Sequence, residues 1–469
     1  MEVRSQHFAE GAREALKDPQ LQRALAEATG RLREQRAEAF ASFPPGEALR
    51  AEARRIKLET LARLEDLLEV FAERFEARGG VLHRAADAGE ACRIVTDLVR
   101  ARSGRLAVKS KSMTSEEVAL NDALEAAGVE TLETDLGEYI IQLAREAPSH
   151  IIVPAIHKSV RDVAELFREH HGSDADLQHE ALTREARERL RAAFLRADVG
   201  ITGANFAVAE TGSLAIVENE GNVRMSTSLP RLHIAIMGME KVIPDLASLA
   251  VFLRILARSA TGQKMTSYVS LVTGPRRGDE EDGPEELHLV VLDNGRSRLL
   301  ADPELREALA CIRCGACLNA CPVYQHAGGH AYGWVYPGPI GAVINPSLVG
   351  HEKAGALPFA SSLCGACREV CPVGIDLPRL LLAQRARVVE SGGGPGGRGG
   401  RLLVRLFAAV SRRPALYRGA ARLARWASLP WVRGRGISRL PGLGAWTRTR
   451  DLPEPARESF REAWEKRHG

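Results

Sequence analysis

The last third of the chain contains two groups of cysteines whose spacing is typical of iron-sulfur proteins. The first group is a complete CxxCxxCxxxCP motif, and the second is the same motif without its first cysteine. The seven residues are Cys311, Cys314, Cys317 and Cys321, followed by Cys364, Cys367 and Cys371. In two-cluster ferredoxins, three closely spaced thiolates hold one cubane, and the fourth cysteine ligates the neighbouring cluster. We therefore predict two [4Fe-4S] clusters in this part of the chain.

The two groups are expected to exchange their last cysteines. On this pattern the ligands of the first cluster are Cys311, Cys314, Cys317 and Cys371, and those of the second are Cys321, Cys364 and Cys367. The second cluster then has only three cysteine ligands. An iron without a thiolate must bind oxygen or nitrogen, accept an exogenous group, or be absent from a three-iron cluster. The sequence leaves these alternatives open.

Four side chains near the cysteines can supply oxygen or nitrogen to that iron. Ser361 stands where a complete second motif would have its first cysteine, and three histidines lie between the groups, namely His326, His330 and His351. Hydroxyl and imidazole ligands are the minority in such clusters, so each of these residues is more often a bystander than a ligand.

Zinc sites and disulfides are the other common uses of grouped cysteines. Zinc sites usually combine two CxxC or HxxxH elements across a longer loop, which three tightly spaced cysteines before a CP pair fit poorly. Disulfides need an oxidising compartment. Residues 1–17 carry scattered charges and no apolar segment of a secretion signal, so we expect a cytoplasmic protein. The isolated Cys92 is expected to be a small buried side chain.

The chain length of 469 residues predicts two or three domains. Residues 1–80 have a helical apolar period, carried by Ile56, Leu61, Leu64, Leu68, Phe71 and Phe75. Residues 81–300 alternate short β-branched runs with helical stretches, which predicts an α/β domain with buried parallel strands. Residues 301–390 are expected to form a small helical ferredoxin-like domain. No run approaches the ~18 apolar residues of a membrane-spanning helix.

Seven apolar runs are predicted to be the strands of the α/β domain. They are LAVKS, VETLET, HIIVPAI, VGITG, LHIAIMG, SYVSLVT and LHLVVLD. In the cysteine region we expect ELREALACIRC to be a helix leading into the first ligands and LPRLLLAQRARVVE to be one leaving the last.

Residues 391–469 begin with a glycine-rich segment that predicts a flexible linker, and they continue as a basic tail. Between residues 401 and 450 there are twelve arginines and no acidic residue: Arg401, Arg405, Arg412, Arg413, Arg418, Arg422, Arg425, Arg433, Arg435, Arg439, Arg448 and Arg450. Trp426, Trp431 and Trp446 lie among them. This pattern favours an anionic membrane surface, an acidic protein or non-specific nucleic acid, and a poorly ordered extension is the plain alternative. We do not expect a nucleic-acid partner.

Polar segments follow several predicted strands, where ligands bind in open α/β sheets. Lys109 and Lys111 leave one strand, and Thr114 with Glu117 has the spacing of a capping box that opens a helix. A helix start beside two lysines favours an anion, although an ordinary solvated cap has the same sequence. A second polar segment contains Glu210 and Glu220, the last of these in the string NEGN. No GxGxxG or GxxxxGK[ST] motif indicates a nucleotide cofactor.

Several long strings of this sequence resemble the lactate utilization protein B family of bacteria. They are KSKSMTSEE, ETDLGEYIIQLA, PSHIIVPAIHK, TGANFAVAETG, NEGN, GPEELHLVVLDNGRSR, CIRCGACLNACPVYQHAGGHAYG and SSLCGACREVCPV. The resemblance runs from about Phe8 to about Arg387, and the basic tail departs from the family pattern. It implies an α/β part similar to ribose-5-phosphate isomerase and CoA transferases, a ferredoxin-like domain, and the interleaved ligand sets with a three-cysteine second cluster.

The resemblance also implies a role in oxidising L-lactate to pyruvate together with two companion proteins. Iron-sulfur clusters exchange single electrons, so we expect an electron relay from a lactate-oxidising site to an acceptor such as the quinone pool. In a second hypothesis the α/β domain binds lactate, with the carboxylate near Lys109 and Lys111 and a proton handled by Glu210 or Glu220. In a third, the clusters stabilise an assembly scaffold. A peripheral position at the inner face of the cell membrane is also open.

Overall fold

The computed structural model describes residues 2–172, 178–394, 397–432, 436–439, 444, 447, 450–456 and 458–468. The chain forms two compact units, Met1–Gly394 and Pro395–Gly469.

The first unit opens with four helices, as the apolar period predicts. They are α1 (Phe8–Ala15), α2 (Pro19–Ala41), α3 (Gly46–Ala62) and α4 (Leu64–Glu76). Asp18 caps α2 by accepting the backbone N–H groups of Gln20 and Leu21. The predicted apolar stripe is divided between α3 and α4, because Arg63 leaves the helical conformation with φ −127°. Ile56 and Phe71, one from each of these helices, are both buried.

In the described residues from 81 to 172 and from 178 to 292, ten strands form two sheets. They are β1 (Val81–Ala85), β2 (Leu106–Lys109), β3 (Glu130–Glu133), β4 (Val199–Gly203), β5 (Phe206–Val208), β6 (Ser213–Glu218), β7 (Leu232–Gly238), β8 (Val242–Ile243), β9 (Tyr268–Val272) and β10 (Glu286–Leu292). Six of them make a parallel sheet in the order β1-β10-β7-β4-β2-β3. The predicted α/β fold with buried parallel strands is therefore confirmed.

The other four strands make a smaller sheet in the order β8-β5-β6-β9, in which β6 runs antiparallel to both of its neighbours. Two strand predictions need correction. The run SYVSLVT forms β9, but this strand belongs to the smaller sheet and is largely exposed. The run HIIVPAI forms turns instead of a strand, because its apolar side chains pack against the cysteine region: Ile151 and Ile152 both contact that core.

Helices cover the sheet and connect its strands. They are α5 (Ala88–Ala101), α6 (Met113–Glu117), α7 (Leu120–Ala126), α8 (Leu136–Ala144), α9 (Val160–His171), α10 (His179–Arg196), α11 (Asn222–Ser228), α12 (Leu246–Ala260) and α13 (Arg296–Ala301). The strand order reverses its direction of winding between β2 and β4, and crevices at such points are where parallel sheets bind ligands. Cys92 lies half-buried in α5, where its Sγ contacts the Val118 carbonyl.

The cysteine region is built from short helices. They are α14 (Ala316–Ala320), α15 (Pro322–Ala327), α16 (Gly338–Val349), α17 (His351–Ala354), α18 (Ala366–Glu369) and α19 (Leu377–Glu390). The exit helix predicted from LPRLLLAQRARVVE is α19. The predicted entry helix is only a 3-10 turn over Arg306–Ala310, and the backbone is extended at Cys311. This region shares one apolar core with the preceding residues, since Phe71, Met237 and Leu318 belong to the same buried cluster.

The second unit contains α20 (Gly397–Ser411), α21 (Pro414–Ser428), β11 (Gly436–Ile437), β12 (Leu452–Pro453) and α22 (Phe460–His468). Its first two helices expose large apolar side chains, among them Leu403, Phe407 and Trp426. Four residues of the predicted basic pattern lie outside the described residues, namely Arg433, Arg435, Trp446 and Arg448. Among the residues that the structure describes, no helix combines the length and apolar character needed to cross a membrane.

Candidate metal centre and adjoining cavity

The four cysteines of the first predicted ligand set line one small cavity. They are Cys311, Cys314, Cys317 and Cys371, and apolar side chains such as Ile340 and Ile375 complete the wall. Arg313, with φ 59°, and Gly315, with φ 74°, hold left-handed conformations between the cysteines. These two turns bend the CxxCxxC segment so that its thiols face a common centre. Residues remote in sequence are thus brought together, since Cys371 comes from the second group.

The buried cysteines of this set disfavour one another's ionisation. Burial, with a contribution from Cys311, raises the pKa of Cys314 to about 12, and burial and the same neighbour raise the pKa of Cys371 to about 11. Burial and the neighbouring sulfurs also raise the pKa of Cys317. Thiolates crowded into a low-dielectric cavity need a cation to hold them, and four sulfur donors are the set that iron-sulfur clusters use. The donor set therefore fits a [4Fe-4S] cluster.

The three cysteines of the second predicted set are also neighbours. Burial raises the pKa of Cys367 to about 12, and the charges of Cys321 and Cys364 raise it further. The pKa of Cys321 is raised by burial and by Cys364. Cys364 is exposed, whereas every cysteine of the first set except the half-buried Cys311 is buried. The second site therefore reaches the protein surface.

The other candidate ligands of the second cluster, three histidines and Ser361, each make a hydrogen-bond contact in the structure. His326 contacts the Gln22 side chain, His330 contacts the Ala147 carbonyl oxygen, and His351 contacts Gln384. Ser361 is half-buried, and its Oγ accepts the backbone N–H of Leu363 at 3.1 Å. The three imidazoles thus have partners elsewhere, and Ser361 alone keeps the position of a motif ligand.

A cavity of about 460 Å³ lies at the carboxyl ends of the parallel strands. Lys111 and Ser112 enter it from the end of β2, Gly203 to Asn205 from β4, and Glu240 and Lys241 from the segment after β7. Arg313 and Tyr336 close it from the cysteine region. The cavity is therefore shared between the α/β fold and the loop that carries the first ligand set.

Arg313 is the residue that joins the cavity to the cysteines. Its guanidinium lies over the Tyr336 ring, and its Nη2 is 3.5 Å from Glu240 Oε1. The side chain is about nine-tenths buried, yet among the described residues its Nη1 has no hydrogen-bond partner. A buried guanidinium N–H without an acceptor is costly. An anion in the cavity would supply the missing acceptor.

A buried ion-pair network holds this wall in place. Arg296 pairs with Glu117 at 2.7 Å and with Glu240 at 2.7 Å, and the Tyr336 hydroxyl donates to Glu117 at 2.6 Å. Burial raises the pKa of Glu240, but the positive charges of Arg296 and Arg313 outweigh it and lower this pKa to about 2. Gly238 is required here, because a Cβ at that position would collide with the Glu240 and Arg296 side chains.

Two titratable groups in the cavity are shifted towards neutral pH. Burial and the nearby Asp135 raise the pKa of Glu220 to about 7. Burial lowers the pKa of Lys241 to about 8, although Glu240 acts in the opposite direction. Groups with such shifts in a cleft are candidates for binding or proton transfer.

Of the four substrate-site candidates from the sequence, Lys111 and Glu220 line the cavity and the other two do not. Lys109 is buried and pairs with Glu133 at 2.6 Å and Glu116 at 2.9 Å, so its charge is already neutralised within the fold. Glu210 instead accepts the backbone N–H of Leu246 at the start of α12.

The predicted capping box of Thr114 and Glu117 is wrong. Ser112 is the N-cap of α6 and accepts the backbone N–H of Ser115, while Glu117 turns inward to Arg296. Sequence reasoning also missed Arg313, Lys241 and Tyr336. The only local signal was that Arg313 interrupts the first cysteine motif with a charge.

Comparison with known proteins gives three adjoining family matches. A LUD domain model matches residues 68–292, a 4Fe-4S dicluster domain model matches residues 307–375, and a model of the lactate utilisation protein B C-terminal region matches residues 382–469. The last match corrects the expectation that the basic tail departs from the family pattern. The LUD match begins inside α4, before the boundary at residue 81 predicted from the sequence.

Curated proteins match over nearly the whole chain. Lactate utilization protein B of Shouchella clausii is 44% identical over 98% of this chain and 97% of its own length. The protein of the same name from Bacillus licheniformis is 44% identical over 100% and 98%. An uncharacterized electron transport protein of Escherichia coli, YkgF, is 42% identical over 98% and 96%. A crystal structure of a DUF162 family protein from Deinococcus radiodurans covers 49% of this chain and 98% of its own with 14% identity and a TM-score of 0.28.

Proposed function

Since the chain belongs to the lactate utilization protein B family, we propose that it is the iron-sulfur electron-transfer subunit in the oxidation of L-lactate to pyruvate. The single observation that carries this proposal is the arrangement of the two ligand sets. One set is buried beside the cavity, and the other reaches the surface at Cys364. When bound, the clusters supply one-electron transfer.

The chain's own residues define an inner and an outer end. Arg313 belongs both to the first cysteine motif and to the cavity wall, so it marks the inner end. The exposed Cys364 marks the outer end, where a protein partner or a small acceptor can approach. We propose that the two companion lactate-utilization proteins bind here or near the cavity, and that the acceptor is linked to the quinone pool.

The test is a reconstituted complex with Cys314→Ala, which removes a buried ligand of the first set. Lactate-dependent electron flow is expected to fall to background. The matched control is Cys92→Ala, because Cys92 lies in α5 outside both cysteine groups. Unchanged electron flow in the Cys314→Ala complex would exclude the relay. Electron paramagnetic resonance during turnover reports the oxidation state of the clusters. Clusters that stay in one oxidation state would favour the scaffold hypothesis instead.

A second candidate function is that the cavity itself binds lactate. The unpartnered Nη1 of Arg313 favours it, because a carboxylate is an acceptor that guanidinium groups bind well. Lys111 and Lys241 add positive charge, and Glu220 is the carboxyl group placed to handle a proton. Lys109 and Glu210 have no part in this proposal, because they lie outside the cavity wall. Lactate turnover by the isolated, cluster-loaded chain would favour this function over the relay.

Three finer features are also proposals. We propose that the α/β part is related in fold to ribose-5-phosphate isomerase and CoA transferases, in line with its parallel sheet. We propose a cytoplasmic location with peripheral contact to the inner face of the membrane through the second unit. The exposed Leu403, Phe407 and Trp426 beside many arginines support that contact.

A further inference from the structure

The two cysteine groups are repeats of one backbone motif. The tetrapeptide CGAC occurs at residues 314–317 and again at 364–367. In both copies the residue before it has a positive φ, 59° at Arg313 and 55° at Leu363, and the glycine within it has φ 74° and 89°. Positive φ at a residue with a side chain costs on the order of 1–2 kcal/mol. The recurrence of a positive φ at the same motif position indicates that both copies have the same structural role.

The first position of each repeat makes the same local contact. The Sγ of Cys311 accepts the backbone N–H of Arg313 at 3.4 Å, and the Oγ of Ser361 accepts that of Leu363 at 3.1 Å. The serine oxygen therefore occupies the position of the cysteine sulfur in the motif.

The closing residues of the two ligand sets correspond in sequence. Cys371 and Cys321 are each the last cysteine of their group, and each begins a CPV string. The first set closes on Cys371 and the second on Cys321. Three positions of the second site thus have a matching cysteine in the first, and the fourth position is that of Ser361.

The segment that carries Ser361 is held firmly. Arg385 donates to the carbonyl oxygens of Pro358 and Ser361, both at 2.8 Å, and its guanidinium lies over the Phe359 ring. These contacts therefore fix the backbone that carries the Ser361 Oγ. His326, His330 and His351, the other side chains considered, all contact partners elsewhere.

We propose that Ser361 is the fourth protein ligand of the second cluster, bound through Oγ. An iron-oxygen bond forms as the hydroxyl group loses its proton, and no electron is exchanged in this step. The proton passes to water, because Ser361 is half-buried and Cys364, three residues further along the chain, is exposed. The site then has one oxygen and three sulfur ligands, unlike the all-sulfur first site.

The test uses the full chain purified without oxygen in four forms: wild type, Ser361→Ala, Ser361→Cys and Ser362→Ala. Ser362 is the exposed neighbouring serine and serves as the matched control. Iron per chain is counted by chemical analysis and native mass spectrometry. The clusters are compared by electron paramagnetic resonance and by ¹⁷O electron-nuclear double resonance in ¹⁷O-water.

Wild type and Ser362→Ala are expected to hold about eight irons, four in each cluster. Ser361→Ala is expected to lose about one iron and to show the signal of an oxidised three-iron cluster. Ser361→Cys is expected to keep about eight irons with a changed signal from one cluster only, which also shows that substitution at this position permits folding. A ¹⁷O coupling in wild type would show a solvent ligand and overturn the proposal, as would Ser361→Ala with eight irons and an unchanged signal.

Discussion

The guanidinium carbon of Arg313 lies 4.7 Å from the centroid of the Tyr336 ring. Tyr336 is in turn fixed by its hydrogen bond to the buried Glu117. This stacking holds the side chain of a residue that stands between Cys311 and Cys314 against the cavity wall. Binding of a ligand in the cavity can therefore affect the first cysteine group through the Arg313 side chain alone.

Replacing Arg313 by glutamine should weaken carboxylate binding in the cavity. A hydrogen bond to a charged group contributes about 1.5–3 kcal/mol, so the affinity for lactate or oxamate is expected to fall about 10- to 100-fold. Calorimetry on the cluster-loaded chain measures it. Arg298→Gln is the control, because Arg298 is exposed on α13 and does not line the cavity. Equal affinities in all three proteins would remove Arg313 from the site.

Binding of the same anions should weaken as the pH rises through about 7. Burial and Asp135 raise the pKa of Glu220 to about 7, so this group is neutral below that pH and negative above it. A negative Glu220 repels an incoming carboxylate. Glu220→Gln should lose the fall in affinity around pH 7 and keep only the fall near pH 8, where Lys241 loses its charge. A pH dependence that persists unchanged in this variant would assign it to another group.

The Arg296 network should be essential for stability. Replacing Arg296 by methionine leaves Glu117 and Glu240 buried without their main partner, and breaking such a pair costs about 3–5 kcal/mol. Thermal unfolding under anaerobic conditions measures the loss. Arg55→Met is the control, because the pairs of Arg55 with Glu52 and Glu59 are at the surface, and no measurable change is expected.

The same network predicts acid sensitivity. The folded protein lowers the pKa of Glu240 to about 2 from the ordinary 4.5. The stability that this carboxylate contributes is therefore complete above about pH 4.5 and is lost as the pH falls towards 2. Glu240→Gln should be less stable near neutral pH and should lose less stability on acidification than wild type does. Parallel acid-unfolding curves for the two proteins would contradict this assignment.

The second unit should bind anionic vesicles in a salt-sensitive way. On α20 the exposed Leu403 and Phe407 are four residues apart and so share one face, which is the arrangement of an interfacial helix. Arg405→Glu with Arg418→Glu should reduce co-sedimentation of the full chain with phosphatidylserine vesicles. Arg93→Glu with Arg100→Glu on α5 is the charge-matched control in the first unit. Equal sedimentation of wild type with neutral and anionic vesicles would exclude this contact.

The grouping of Cys311, Cys314 and Cys317 could be predicted from their spacing because its geometry is local, with positive φ values at Arg313 and Gly315 within one short segment. The pairing of this group with the distant Cys371 depends instead on the two-cluster ferredoxin pattern. The parallel sheet was predictable for a similar reason, since buried strands are continuously apolar.

The cavity could not be predicted in this way because it depends on long-range contacts. Arg313 meets Glu240 across 73 positions, and Glu117 meets Arg296 across 179. No local pattern distinguishes Glu117 paired with a distant arginine from Glu117 in a capping box. The apolar run around Ile151 predicts a strand but forms turns, because packing against a region distant in sequence selects the same apolar composition as burial in a sheet.

The most direct test of the central claim is the iron and acid-labile sulfide content of the chain purified without oxygen, combined with its electron paramagnetic resonance spectrum after reduction. Seven cysteines in two interleaved sets predict a brown protein with about eight irons and eight sulfides per chain and signals from two clusters. A colourless preparation, or one that contains zinc in place of iron, would contradict the account.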